Sequence, residues 1–340
     1  MTQNSNSQSR PSSRAWRRFR AHRAATASGV FLLIALVLVI MLAPFSASWY
    51  DVQGITEAIR HPPAAHSVVD YEAYRQDLQT RPVGRSFLSI GRSAYRATAW
   101  MGYDNLGRSL LYRCLFGWLV SLTIGLAAAA ISVTIGVMWG STAALAGGRT
   151  DALLMRVVDI LYGLPYILLV ILLKIALTHP LTRLCGDRVQ AANVIILFIA
   201  IGAVSWLTMA RVIRGQVLSL REQPFIEAAR AAGVGPLGIL RRHLLPNLIG
   251  PIVVYATLVI PQAILQESFL SFLGIGVQAP TPSLGRLAAE GIEAVNPFVG
   301  FWWLIAFPCG LLVLTLLALN FLGDGLRDAF DPKSSTAVLV

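Results

Sequence analysis

Six stretches of this sequence are apolar over about the length that a helix needs to cross a bilayer, and that pattern leaves few folds open. A hydrocarbon layer about 30 Å thick calls for about 20 predominantly apolar residues in a helix. Because lipid cannot satisfy backbone N–H and C=O groups, a crossing segment of this kind must close its own hydrogen bonds as an α-helix. The stretches are residues 29–43 (extended backwards to 24), 116–145, 153–177, 192–210, 248–273 and 301–322. Of the 340 residues, 55% are hydrophobic and only 13% charged, too apolar for an ordinary soluble domain. The expected fold class is an all-α integral membrane protein with six transmembrane helices.

Charge sets the orientation. The formal net charge is +11, but the arginines cluster beside apolar spans and no basic recognition motif sits in a soluble fold, so lipid headgroups rather than nucleic acid are the expected partner. Residues 1–27 carry Arg10, Arg14, Arg17, Arg18, Arg20 and Arg23 and no acid, and read as a cytoplasmic basic tail. Residues 28–49 form the first span. Its length also suits a signal peptide with Ser46-Ala47-Ser48 as the cleavage site, and charge bias cannot separate the two readings. Residues 50–115 read as an external loop ending in a turn that enters the second span. Arg211, Arg214, Arg221, Arg230, Arg241 and Arg242 place the central connector inside. Residues 326–340 form a cytoplasmic tail.

Within the spans, the Ala, Gly, Ser and Thr content of residues 116–145 implies close helix contact. Arg156 and Asp159, three residues apart, are expected to pair with each other or to snorkel. Lys174 is expected near the outer end of its span, reaching the interface. Glu267 lies about 30 Å along the fifth helix from the connector, at the outer interface. Two readings apply to it, a substrate contact or a hydrogen-bonded carboxylate. Gly and Pro residues after it point to an external loop with a short helix over 286–292, and Trp302 and Trp303 to the interface.

Residues 224–247 are a polar, helix-forming island between two apolar spans. Pro224 suits a first helical position, Glu227 complements the N-terminal dipole, and Gly233 supplies a left-handed end. Gly235-Pro236 begins a second helix with Leu237, Leu240 and Leu244 on one stripe, which Pro246 is expected to stop. On the first helix Phe225, Ala228, Ala229 and Ala232 form a low-relief face, with Glu227 and Arg230 opposite. An ordinary surface helix pair would show the same spacing.

Glu227, Ala228, Ala229, Arg230, Gly233, Leu245 and Pro246, with His243 and Asn247, resemble the coupling loop of ATP-binding-cassette importer permeases of the dipeptide and oligopeptide class. Gly102-Tyr103-Asp104-Asn105-Leu106-Gly107-Arg108 resembles the motif that leads into the first conserved helix of that class, with Tyr103 in place of Thr and Ser109 in place of Asp. Glu267-Ser268 through Gly276, Pro280 through Gly285, and the stretch Asn320 to Pro332 extend the likeness over residues 101–333. The resemblance implies the type I ABC importer permease fold over 116–325. It implies a coupling loop at 224–247 seated in a separate ATPase, and an inner-membrane importer for dipeptides, oligopeptides or a related small solute. It also implies a second homologous permease, two ATPase subunits and an extracytoplasmic binding protein.

No catalytic constellation is visible. A P-loop needs Gly-x-x-x-x-Gly-Lys followed by Ser or Thr, and the two lysines, Lys174 and Lys333, follow no glycine. Cys114, Cys185 and Cys309 lack metal-ligand spacing, and no cofactor is expected. The reading from another class is an ATP-independent secondary transporter or channel, in which ionisable residues or broken helices sit near mid-membrane.

Overall fold

The computed structural model describes residues 23–49, 62–64, 99–185, 189–295 and 300–330. The basic tail before residue 23, most of the loop between 50 and 98, and the end of the chain after 330 lie outside the described residues. The elements are α1 Arg23–Trp49, α2 Leu110–Ala146, α3 Gly148–Tyr162, α4 Tyr166–Cys185, α5 Val189–Arg221, α6 Pro224–Ala231, α7 Pro236–Ile239, α8 Leu245–Phe272, α9 Leu284–Glu293 and α10 Trp303–Phe330. A π-helical turn, Leu240–Leu244, joins α7 to α8. Among the described residues, five helices are long and apolar enough to cross a membrane: Leu110–Ala146, Tyr166–Leu184, Ala192–Arg221, Pro236–Phe272 and Trp303–Phe330. α1 adds a sixth apolar helix and packs on α2 and α10.

The bundle is centred on α2 against α5, with α8 across α2 and α10 behind α8. Glycines make the central contact possible. A Cβ on Gly136 would stand 3.1 Å from the Ala210 nitrogen, one on Gly140 would stand 3.0 Å from the Arg214 nitrogen, and one on Gly202 would stand 3.0 Å from the Ala128 oxygen. The small-residue content of the second span therefore has the consequence expected of it, backbone-to-backbone approach. Trp139 and Trp206 close the same seam with ring centroids 5.0 Å apart.

Three expectations are corrected here. The third span is not one helix over 153–177. Gly163-Leu164-Pro165 breaks it, because proline lacks an N–H and forces its predecessor out of the helical region, and the membrane-length part begins at Tyr166. The preceding α3 buries only Val158. Arg156 and Asp159 do not pair with each other. Asp159 accepts from Arg211 on α5 at 2.8 Å, and Asp151 takes both Nε and Nη2 of Arg214 at 2.6 Å. Arg211 also lies 4.0 Å above the Tyr162 ring, so α3 is riveted to α5 by two arginines one helical turn apart. Lastly, Pro246 does not stop a helix. The chain stays helical from Pro236 to Phe272, because Pro246 follows the π turn, where the wider coil relieves the clash between its ring and the preceding carbonyls.

Candidate functional site

Two regions carry functional chemistry. One lies at the end of the bundle where α2, α5 and α10 finish, the other halfway along the helices.

At the first, α6 bears the predicted connector residues. Its end is a Schellman motif: Gly233 has φ +79°, its N–H donates to the Arg230 oxygen at 2.9 Å, and the Val234 N–H donates to the Ala229 oxygen at 3.1 Å. The left-handed end predicted at Gly233 is therefore a defined geometry that fixes α6 relative to α7. The face of α6 differs from expectation. Ile226 and Ala229 are buried, Ile226 against the cluster of Ile213, Val217, Ile239 and Leu244, while Phe225, Glu227, Ala228, Arg230 and Ala232 are exposed. Ala229 thus belongs to the interior, and the outward surface keeps Phe225, Ala228 and Ala232 with the two charges beside them. On α7 and the π turn the buried positions are Ile239 and Leu244, with Leu240 half-buried and Leu237 66% exposed, so the predicted leucine stripe turns inward only towards its C-terminal end. The wide turn changes the angular step that the stripe assumed. Leu245 is half-buried and Pro246 exposed.

Halfway along the bundle, α5 and α8, with the end of α3 and the start of α4, line a half-open cavity of ≈ 460 Å³. α8 contributes Tyr255, Val259, Gln262 and Gln266, a stripe at helical spacing, and α5 contributes Ser205 and Thr208. The Tyr166 hydroxyl donates to Gln266 Oε1 across the space. No charged side chain lines it. The sequence reading missed this region, although two carboxamides four residues apart in an apolar span were a readable signal.

Glu267 points the other way. It is 0% exposed; Ser121 Oγ donates to its Oε2 at 3.1 Å and Ser271 Oγ to its Oε1 at 2.7 Å. Ser121 also accepts the Leu284 N–H at 3.2 Å, so the carboxylate ties α2, α8 and the start of α9 together. Of its two readings, the hydrogen-bonded carboxylate is the one that this geometry matches, since a fully covered group offers no surface to a solute.

The turn before α2 anchors the opposite end. Asp104 Oδ1 accepts the backbone N–H groups of Leu106 and Arg108 at 2.8 and 2.9 Å. Its Oδ2 accepts Arg108 Nε at 2.7 Å and Arg113 Nη1 at 2.6 Å. Arg113 reaches on to Glu290 Oε2 at 2.7 Å, and Arg286 holds Glu290 Oε1 at 3.0 Å. Burial on its own would raise the Glu290 carboxyl, but Arg113, Arg286 and Arg108 outweigh it and hold it below the ordinary value. Trp303 is buried here, donating from Nε1 to the Tyr103 oxygen at 3.3 Å, so of the two expected interfacial tryptophans only Trp302 is exposed. Lys174 differs from expectation only in its place within the helix. With the span starting at Tyr166 it lies mid-helix by residue count, and its ammonium reaches the carbonyls of Ile275 and Gly276, in the turn that follows the outer end of α8.

Comparison with known proteins gives these features a family. Residues 132–336 match the family of binding-protein-dependent transport system inner membrane components, and residues 10–63 match the N-terminal transmembrane domain of oligopeptide transport permease C. The dipeptide transport system permease protein of Bacillus subtilis is 37% identical over 319 residues, 94% of this chain and 85% of that protein. The oligopeptide transport system permease protein of Haemophilus influenzae is 46% identical over 236 residues, covering 69% and 70% of the two chains. A chain of the inward-facing MetNI methionine ABC transporter shares the fold, with a TM-score of 0.50 at 22% identity over 65% of this chain and 98% of that one. This chain therefore belongs to the family of binding-protein-dependent transport system inner membrane components: it is a multi-pass inner-membrane permease with the type I ABC importer fold, the component that does not itself carry the ATPase.

Proposed function

We propose that this permease imports dipeptides, oligopeptides or closely related solutes, and that the mid-bundle cavity is its half of the pathway. A second, homologous permease supplies the other half. Two ATPase subunits bind ATP and seat on α6 and its counterpart, and an extracytoplasmic binding protein delivers the solute at the Asp104–Glu290 end. The end bearing α3, α6 and Arg241 faces the cytoplasm. ATP-driven closure of the ATPases moves α6 and rocks the helices between outward-open and inward-open arrangements.

The observation that carries this reading is α6 itself. It is a short capped helix, fixed from beneath by Ile226 and Ala229, that presents small and aromatic residues outward. A docking helix needs a rigid base and a low-relief outer surface. Because Ala229 is covered by its own chain, the discriminating substitution is Ala228→Trp. Its expected outcome is normal membrane abundance, at least a tenfold loss of co-purified ATPase, and loss of uptake. Unchanged co-purification and uptake would remove the docking role from α6, as expected of an ordinary solvated helix.

A further inference from the structure

A carboxamide on the surface of a spanning helix is out of place against lipid, where its hydrogen-bonding capacity goes unmet. α8 carries two of them on one stripe. Gln262 is exposed and makes no hydrogen bond among the described residues, and Gln266 is half-buried, with only its Oε1 engaged, by Tyr166. Both open into the ≈ 460 Å³ cavity, with Ser205 and Thr208 opposite on α5 and Tyr255 towards the connector end. The same helix places its one carboxylate, Glu267, on the other side among serines. Charge is thus kept out of the cavity while neutral donors and acceptors are kept in.

We propose that Gln262 and Gln266, with Tyr166 as an exchangeable partner, recognise the main-chain amides of an extended peptide in transit. A carboxamide offers one acceptor and two N–H donors, the complement of a peptide group, and it pairs without regard to the side chain that the peptide carries. Gln262 and Gln266 are one turn apart, about 6 Å along the axis at 1.5 Å per residue. That is close to the 6.6–6.8 Å repeat of alternate residues in an extended chain at ~3.3–3.4 Å per residue. Tyr166 holds Gln266 while the site is empty. A peptide carbonyl or N–H takes over that contact, so the exchange costs few unmade hydrogen bonds. The uncharged lining makes this step indifferent to acidic or basic residues in the solute.

This inference rests on the cavity being the pathway, and two variants separate the claims. The complete transporter, reconstituted with its binding protein in proteoliposomes, is given the tripeptides Ala-Asp-Ala and Ala-Lys-Ala, with ATPase co-purification as the check on assembly. Gln262→Leu with Gln266→Leu is expected to lower uptake of both peptides by about tenfold or more, as the loss of one or two hydrogen bonds would. Gln262→Asn, which keeps the carboxamide, should recover most of it. Gln262→Glu is expected to shift the acidic-to-basic uptake ratio against the acidic peptide by about tenfold relative to wild type. If the charged variant shifts that ratio but the leucine pair transports within twofold of wild type, the pathway stands and amide recognition falls. If the ratio does not move, Gln262 never meets the solute and the pathway reading falls with the proposal. Should the leucine pair fail to assemble, Gln262→Leu alone carries the test, because that side chain is exposed and makes no hydrogen bond among the described residues.

Discussion

Arg113 shows how far a single side chain can organise one end of a membrane protein. It is 2% exposed and bridges Asp104 in the turn before α2 to Glu290 on α9, two elements far apart in sequence. Removing one partner of such a pair leaves the others buried and uncompensated, which typically costs roughly 3–5 kcal/mol. Arg113→Met should therefore lower the detergent-solubilised melting temperature substantially, and Glu290→Gln, which leaves Arg113 paired with Asp104, should lower it less. The pH dependence has a definite sign. The Glu290 carboxyl is held below its unfolded value, near 4.3, so its contribution is fully present above that pH and is lost as pH falls through the folded value. Thermal melts between pH 7 and pH 3 should show that loss at the acid end for wild type and a smaller one for Glu290→Gln. The sequence identified Asp104 and Arg108 through their motif. Arg113 and Glu290 stayed hidden because an ion pair across 177 residues leaves no periodic trace.

At the scale of elements, the parts that periodicity could reach were the apolar helices and the capped helix at Pro224. Two of the parts it misplaced were interruptions of helix. A span that contains Gly163 and Pro165 reads as continuous hydrophobicity, yet backbone chemistry divides it, and that division moved Lys174 from the end of a helix to its middle. Pro246 shows the opposite error, a proline that reads as a stop and is absorbed by a π turn. A third error is of another kind: the surface of α6 was assigned by residue size, whereas burial is decided by which side meets Ile213 and Val217. The close seam of α2 and α5 was legible from small residues, and it makes a sharp prediction. Gly140→Val would push a branched side chain against the Ala210 carbonyl and the Arg214 nitrogen, both backbone atoms that cannot swing aside. The expected result is a loss of about 2–3 kcal/mol or failure to assemble, read as lowered membrane abundance and melting temperature. Gly148→Val, where a Cβ meets nothing within 4 Å but φ is +53°, should cost only backbone strain.

The whole molecule is polarised. One end is basic, with Asp151 held below the usual carboxylate range by hydrogen bonds from Arg214, and carries α3 and α6. The other is closed by α9 and the Asp104–Arg113–Glu290 network. If the basic end is cytoplasmic, reporter fusions at residues 15, 230 and 335 should score inside and those at 75 and 285 outside. An external score at 230 would invert the orientation on which docking and delivery both depend. Between those ends runs one uninterrupted rod, Pro236–Phe272, with the π turn near its foot. A π turn takes up about one residue more than an α turn, so it offsets the azimuth of everything above it by roughly 100° relative to a straight α-helix of the same sequence. The five residues Leu240–Leu244 therefore act as a phase shifter. They let Ile239 and Leu244 key into the base while Tyr255, Gln262 and Gln266 still point at the cavity. On the proposed docking of α6, a torque delivered at Leu240–Leu244 would reach those three side chains as a common rotation rather than as three separate movements.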